Sequence, residues 1–305
     1  MQGRIINSNG GKYQVAMTDG TTKIIPARGK FRSIKTIQSN PNSLSKKQTV
    51  MLVKQSPKVG DWVEVLDERI ETILERTNEL IRPDIANVDQ ILLVFAAKEP
   101  EFSSYLLDLF LVNITKKHIL PIIVITKIDK LSDEELIHLK NKLSYYEQMG
   151  YTVLYVNSKT KEGTDLVAQH LEGKVTVLSG QTGAGKSTLI NAILPNFELK
   201  TQEISQALGR GKHTTRETTL YPYKNGYIGD TPGFSKLDLL GIEKKELAQL
   251  FVEFAEEPCR FKDCLHQSNA KDCGIRQAVT EGKILSSRYE NYLKMLVQIE
   301  KEEKR

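Results

Sequence analysis

The residues with the clearest chemistry form a glycine-rich segment after an apolar run. Val175–Ser179 leads into a G-x-x-x-x-G-K-S sequence, and a helical pattern begins at Lys186. The backbone N–H groups of such a loop surround phosphate oxygens, and the helix N-terminus favours their negative charge. We expect Lys186 to reach the β- and γ-phosphates, and Ser187 to ligate Mg²⁺. The nucleotide-binding candidates here are Gly180, Gln181, Thr182, Gly183, Ala184, Gly185, Lys186, Ser187 and Thr188.

A second motif bears on the choice of base. The apolar run Pro121–Ile125 is followed by Thr126, Lys127, Ile128 and Asp129, a T-K-x-D sequence similar to the N/T-K-x-D motif of guanine-nucleotide-binding proteins. An Asp carboxylate accepts hydrogen bonds from guanine N1–H and the 2-amino group, and adenine offers neither donor. In isolation, such a tetrapeptide is also compatible with a strand end followed by a helix cap. Beside a phosphate loop, it predicts a guanine site.

A further loop follows the apolar strand pattern at Thr152–Val156. It contains Asn157, Ser158 and Lys159, and it is similar to the weak S-A-K-like element of guanine sites. We expect a backbone N–H of this loop to donate a hydrogen bond to the guanine O6.

Magnesium and γ-phosphate contacts are predicted from two more segments. Asp230 opens a D-x-x-G motif that ends at Gly233, so we expect Asp230 in the Mg²⁺ shell and the Gly233 N–H near the γ-phosphate. Gly209–Arg216 is polar and basic, and Thr215 is its better candidate for closing over Mg²⁺. The alternative for this segment is a plain basic surface loop.

Catalysis needs a group that orients water. Many GTPases place a Gln directly after D-x-x-G, but Phe234 occupies that position here. His213 is the nearest chemically suitable residue, because a neutral imidazole accepts a proton from water. We therefore predict His213, Thr215 and Lys186 as catalytic residues. One alternative is that His213 only contacts RNA, and another is that a binding partner supplies the water-orienting group.

All three cysteines cluster near one histidine. Cys259, Cys264, His266 and Cys273 supply three thiolates and one imidazole, a full tetrahedral set for a structural zinc site. The alternative is three buried cysteines and a surface His. An odd number of cysteines argues against a disulfide framework.

Charge is concentrated at the N-terminus. The formal net charge is +5, yet residues 1–66 alone contain eleven Lys or Arg and three acids, a local charge of +8. Such a basic segment is typical of a nucleic-acid-binding module. The longest apolar runs are too short to span a bilayer, and the first residues do not resemble a secretory signal. We expect a cytoplasmic monomer without membrane contact.

The elements that must position these motifs fall into three predicted domains. About five short strands in residues 1–67 predict a β-barrel with the OB-fold that binds RNA. Residues 68–238 alternate strands and helices, which predicts an α/β domain with a parallel sheet, after a polar connector at 67–90. Residues 239–305 are predicted to form a helical zinc-binding domain.

The order of the motifs carries a family resemblance. The base-reading motif precedes the phosphate loop, which precedes D-x-x-G, whereas ordinary GTPases place the base-reading motif last. The chain resembles the bacterial ribosome small-subunit-dependent GTPase A (RsgA) family of circularly permuted GTPases. The matching segments are Val59–Val63, Leu80–Asp89, Gly211–Arg216, Asp230–Phe234 and the cysteine cluster. The departures are Thr126 for the commoner Asn, and six residues rather than five before the last cysteine.

The resemblance implies hydrolysis of GTP to GDP and phosphate, with Mg²⁺, one structural zinc ion per chain, and late maturation of the 30S ribosomal subunit through 16S rRNA. Two other classes of protein stay open from the residues alone. One is an RNA-binding scaffold that holds nucleotide without turnover, and the other is a P-loop ATPase or small-molecule kinase. The Asp129 motif disfavours the last of these.

Overall fold

The computed structural model describes residues 1–27, 31–38, 48–81, 83–195, 218–230, 239 and 241–303, without the side chains of 31–38, 48–54 and 230. These residues divide into two compact units. The first contains residues 1–88, 218–222 and 229–230, and the second contains 89–195, 223–228, 239 and 241–303. Among the described residues, no helix combines the length and apolar character needed to cross a membrane.

The first unit is built from short antiparallel strands. Strand β1 pairs with β2, β6 and β14, while β2 also pairs with β3, β6 with β7, and β4 with β5. Apolar side chains on alternate positions, such as Ile5, Val15 and Val63, are fully buried. The strands are β1 Gln2–Asn9, β2 Lys12–Met17, β3 Thr22–Pro26, β4 Phe31–Gln38, β5 Gln48–Gln55, β6 Trp62–Leu66, β7 Arg69–Ile73, β8 Glu79–Leu80, β9 Ile85–Ala86 and β14 Thr219–Tyr223.

The turn before β6 depends on one glycine and one buried ion pair. Gly60 has a φ of +92°, and a Cβ atom there would clash with the carbonyl of Ala86. The next residue, Asp61, is fully buried. Its two carboxylate oxygens accept from Nε and one terminal nitrogen of Arg76 at 2.7 and 2.8 Å, so the buried charge is neutralised by a bidentate partner.

The prediction of a polar connector at 67–90 is wrong, because this stretch contains β7, β8 and β9. Asp67 and Glu68 both have positive φ values, 47° and 57°, and join β6 to β7 in a tight hairpin. Ile70 lies fully buried in this hairpin. The charged residues on the exposed face of β7 conceal its alternation in the sequence.

The second unit contains the parallel sheet that the alternating pattern predicts. In it β10 lies between β11 and β13, and β12 follows β11. β15 is next to β13 in the strand order. All seven residues of β10 are buried, because helices cover both faces of such a sheet. The strands are β10 Gln90–Ala96, β11 Leu120–Thr126, β12 Thr152–Tyr155, β13 Val175–Gly180 and β15 Gly226–Asp230.

Four helices connect these strands: α1 Ser104–Thr115, α2 Asp133–Gln148, α3 Thr164–Leu171 and α4 Lys186–Ile193. Their N-termini have local causes. The Ser103 hydroxyl accepts from the N–H of Leu106, and Ser132 and Glu135 form a reciprocal capping box. Gly185 precedes α4 with a φ of +85°.

The C-terminal segment is helical and packs on α1. It contains α5 Lys244–Leu247, α6 Gly274–Thr280 and α7 Ser286–Glu302. Leu109 and Val112 of α1 share one apolar core with Phe251, Tyr292 and Leu296. The sequence pattern predicts a helix over Lys283–Ile299, and α7 begins and ends three residues later.

Candidate nucleotide and metal sites

The phosphate loop occupies the turn between β13 and α4. Gly180 has a φ of +119°, and a Cβ atom there would clash with the backbone of Val94 on the neighbouring strand. The Lys186 ammonium donates to the carbonyls of Gly180 at 3.1 Å and Gln181 at 2.8 Å, which folds it back over the loop. Burial lowers the pKa of Lys186. A phosphate group at this position supplies the anionic partner that the half-buried ammonium needs.

Three loops at the carboxyl ends of the strands line one cavity. Its walls are Thr126, Lys127, Asp129, Lys130, Ser158, Lys159, Gly185 and Thr188. Ligands of parallel sheets bind at this edge. The structure therefore brings together the base-reading motif, the loop after β12 and the start of α4, although Asp129 and Gly185 are 56 positions apart in the chain.

Asp129 presents its carboxylate to this cavity from the short helix Ile128–Lys130. Lys159 Nζ lies 2.8 Å from Asp129 Oδ2. The hydrogen bond from Lys159 lowers the pKa of Asp129, so this carboxylate stays ionised as an acceptor for a base.

Thr126 ties the base-reading motif to the phosphate loop. Its buried hydroxyl lies 3.2 Å from the carbonyl of Phe95 and also contacts the carbonyl of Ala184. Lys127 adds a parallel link, because its ammonium donates to the carbonyl of Gly183 at 2.8 Å. Thr in place of Asn thus keeps a hydrogen bond between the two motifs.

Asn157 shapes the loop after β12. Its side-chain oxygen accepts from the backbone N–H of Lys159 at 3.1 Å. That N–H is therefore occupied, and the N–H of Ser158 is the better candidate for the guanine O6. The Ser158 hydroxyl is shielded from solvent and finds no hydrogen-bond partner among the described residues.

One contributor was missed by sequence reasoning, the loop at residues 97–103 between β10 and α1. The carbonyl of Glu101 accepts from Gln181 Nε2 at 2.8 Å, and the carbonyl of Glu99 accepts from Lys127. The Glu99 carboxylate pairs with Lys130. The position of this loop in the sequence could have identified it, because it directly follows the carboxyl end of a buried strand.

Several predicted residues lie outside the described part of the chain. They are His213, Thr215 and Gly233, together with the side chain of Asp230, whose backbone ends β15. Their roles stay predictions. Ser187 and Thr188 lie exposed at the start of α4, where Ser187 is open to a cation.

The four predicted metal ligands converge. One ligand atom from each of Cys259, Cys264, His266 and Cys273 lies within 4.8 Å of the others. The Sγ atoms of Cys259 and Cys273 are 3.7 Å apart, and His266 Nδ1 lies 3.3 and 3.5 Å from them. Tetrahedral zinc with Zn–S bonds of about 2.3 Å holds its sulfurs about 3.8 Å apart. The cluster therefore fits a zinc site.

The environment of the cluster favours a bound cation. Burial raises the pKa of the Cys273 thiol to about 12, with further increases from the neighbouring thiols. A dication at the centre opposes this shift and stabilises the thiolates. Burial also lowers the pKa of His266, so its imidazole is neutral, as a ligand must be.

Two tyrosines of α7 hold the loop that carries these ligands. Tyr289 donates to the carbonyl of His266 at 2.7 Å, and Tyr292 donates to the carbonyl of Leu265 at 2.9 Å. Tyr292 is fully buried and packs against Phe254. The ligand loop is thus fixed to the same helix that contacts α1.

Comparisons with known proteins agree with this geometry. The model of the family described as "RsgA GTPase" matches residues 73–240. The chain belongs to the RsgA GTPase family.

Relatives match over most or all of the chain. A protein of Geobacillus sp. (strain WCH70), called "Small ribosomal subunit biogenesis GTPase RsgA", is 42% identical over 100% of this chain and 99% of its own. A protein of the same name from Phytoplasma australiense is 46% identical over 82% of this chain and 83% of its own.

Two solved structures share the fold. YjeQ from Thermotoga maritima superposes with a TM-score of 0.79 at 32% identity, covering 98% of both chains. YloQ, described as a circularly permuted GTPase, gives 0.76 at 34% identity over 99% of this chain and 95% of that one. The expected fold class is confirmed: a strand-rich N-terminal domain, a permuted α/β GTPase domain and a C-terminal Cys/His cluster compatible with zinc. As a member of the RsgA family, the protein is a GTP-hydrolysing enzyme.

Proposed function

We propose that this GTPase binds the 30S ribosomal subunit in the cytoplasm and assists its late maturation, hydrolysing GTP to GDP and phosphate as it does so. The observation that carries the proposal is the convergence of Asp129, Lys127 and the phosphate loop on one cavity, in a chain whose full-length relatives are named for small-subunit biogenesis. The protein acts as a monomer in this proposal.

Within the site, the residues divide the work by chemistry. Asp129 accepts from guanine N1–H and the 2-amino group, and the Ser158 loop donates to O6. The phosphate-loop residues Gly180–Thr188 enclose the phosphates, and Lys186 neutralises the β- and γ-oxygens. Ser187, Thr215 and Asp230 hold Mg²⁺ while Gly233 meets the γ-phosphate. Zinc in the Cys259–Cys273 cluster has a structural role, because four protein ligands leave no open coordination position.

The N-terminal domain, residues 1–67, contacts 16S rRNA through phosphates in this proposal. Its local charge of +8 supports that role, and Lys12 and Lys23 are exposed on β2 and β3. Phosphate binding weakens steeply with salt. We expect Lys12→Glu with Lys23→Glu to weaken 30S binding more than the matched pair Lys294→Glu and Lys301→Glu on α7. Equal 30S affinities of the two double variants would show that the N-terminal domain does not contact the 30S subunit.

The decisive experiment compares GTP turnover of the full-length protein with and without 30S subunits. A basal rate that rises with 30S and stays low with 50S subunits supports the proposal. Turnover indifferent to subunits contradicts the ribosomal role. Nucleotide binding to 30S complexes without turnover would instead favour a scaffold.

His213 is the proposed water-orienting residue. In this proposal the 30S subunit fixes the orientation of His213, so hydrolysis depends on 30S binding. His213→Ala should then abolish most stimulated hydrolysis while GTP and 30S binding stay nearly unchanged. Full stimulated turnover of His213→Ala would move the role to a ribosomal group.

A further inference from the structure

The base-reading carboxylate has a hydrogen-bond partner within the protein. Asp129 Oδ2 accepts from Lys159 Nζ at 2.8 Å. The two residues come from different strand ends, β11 and β12, and both line the same cavity. One of the two carboxylate oxygens that guanine must meet is therefore already bound by a side chain of the protein itself.

Lys159 and a guanine base offer the same kind of group to Asp129. An ammonium is only a donor, and the guanine edge that a carboxylate reads, N1–H with the 2-amino group, also consists of donors. The ammonium and the guanine edge both bring positive hydrogens to the same carboxylate, so they repel each other when they bind it together. Adenine presents no such pair of donors and does not need Lys159 to leave.

Two features allow the Lys159–Asp129 ion pair to open. The Lys159 side chain is 73% exposed, against 23% for Asp129. Its backbone is fixed by Asn157, which accepts from the Lys159 N–H at 3.1 Å, so the ammonium moves on its flexible stem while the loop stays in place. Exposed ion pairs of this kind contribute little stability, so a ligand displaces them at small cost.

We propose that Lys159 is a specificity-determining residue that competes with guanine for Asp129, covering the carboxylate until a guanine base displaces it. This inference rests on the proposed function, because it assumes that Asp129 reads the base. In this role Lys159 lowers the affinity for guanine nucleotides, whereas a lysine that binds phosphate would raise it.

The test uses full-length protein with Mg²⁺, and measures GDP and ADP affinity by competition with a fluorescent GDP. Lys159→Gln removes the competitor, and Lys161→Gln is the matched control, since it removes the same charge from an exposed neighbour in the same loop. Relative to this control, Lys159→Gln should bind GDP about two- to fivefold more tightly. ADP affinity should be equal in the two variants.

Salt provides the second measurement. The difference in GDP affinity between wild type and Lys159→Gln should shrink as KCl rises from about 0.05 to 0.5 M, because exposed pairs are screened. Equal or weaker GDP binding by Lys159→Gln than by Lys161→Gln would overturn the inference. A wild-type protein that does not prefer GDP to ADP would instead overturn the guanine assignment itself.

Discussion

Arg288 of α7 donates to Asp108 of α1 across 2.6 Å, and the two side chains are 1% and 0% exposed. The same guanidinium binds Glu253 through two nitrogens at 2.7 and 2.8 Å. Asn291 and the hydroxyl of Tyr146 also donate to Asp108. One buried cation thus joins α1, which packs on the nucleotide-binding sheet, to the metal module, the C-terminal segment 241–303 that carries the four metal ligands.

Replacing this cation should destabilise the protein strongly. Arg288→Met leaves Asp108 and Glu253 buried without a counter-charge, and breaking such a pair costs about 3–5 kcal/mol. Chemical denaturation followed by tyrosine fluorescence measures the loss. Lys294→Met, on an exposed position of the same helix, should change stability by less than about 0.5 kcal/mol. Similar midpoints for the two variants would show that the buried network contributes nothing.

The base preference depends on one carboxylate. Asp129→Asn exchanges an acceptor for a partial donor, so the 2-amino group of guanine loses its partner and the 2-oxo group of xanthine gains one. Lost hydrogen bonds to a charged group cost about 1.5–3 kcal/mol, or roughly 10- to 100-fold in GDP affinity. Competition binding of GDP and XDP measures the ratio. Asp133→Asn, just beyond the motif, should retain the wild-type ratio, and an unchanged ratio in Asp129→Asn would mean that Asp129 does not read the base.

Metal should account for much of the order in the ligand loop. Cys264→Ser removes one of four ligands, and we expect lower zinc content and faster amide exchange across Cys259–Cys273. Elemental analysis and hydrogen-exchange mass spectrometry measure these effects. Asp263→Asn changes the adjacent exposed residue and should leave both unchanged. Full protection of the loop in metal-stripped protein would contradict a structural zinc site.

The Ser158 hydroxyl is a buried group whose removal should help the empty protein. A buried hydroxyl without a partner costs about 1–3 kcal/mol, so Ser158→Ala should stabilise nucleotide-free protein by about 1 kcal/mol. Thermal unfolding measures the change. Ser144→Ala removes a hydroxyl that donates to the carbonyl of Asn141 at 2.8 Å, and it should not stabilise. Clear destabilisation by Ser158→Ala would reveal a hydrogen bond to that hydroxyl in solution.

Nucleotide state should reach the metal module through α1. The 97–103 loop contacts both nucleotide loops and leads into α1, and Asp108 of α1 is bound to Arg288 of α7. Tyr289 and Tyr292 of α7 hold the ligand loop. We expect amide protection across Cys259–Cys273 to differ between the GDP and GTP-analogue states. Identical amide exchange in both states would show that the nucleotide site and the metal site are not coupled.

Much of this architecture follows from local sequence. Buried parallel strands such as β10 read as continuous apolar runs, and the glycines of the phosphate loop specify its path. The four metal ligands are visible because their types and spacing match one chemistry. These features depend on residues close together in the chain.

What the sequence conceals depends on distant partners. Strand β7 carries charges on its exposed face, and its pairing with β6 is visible only in three dimensions. The contacts of Glu99 and Glu101 are made through backbone carbonyls, which every residue type possesses. The competition between Lys159 and Asp129 arises between two strand ends that lie 30 residues apart.

The packing of helix α1 limits where this chain can be truncated. One side of the helix covers the sheet, while Leu109 and Val112 lie in the core of the C-terminal module. Cutting the chain before that module would expose these apolar side chains to water and leave Asp108 without its counter-charge. The nucleotide-binding part of the chain therefore cannot be produced alone. A truncation or recombination that removes the C-terminal segment should yield an insoluble fragment.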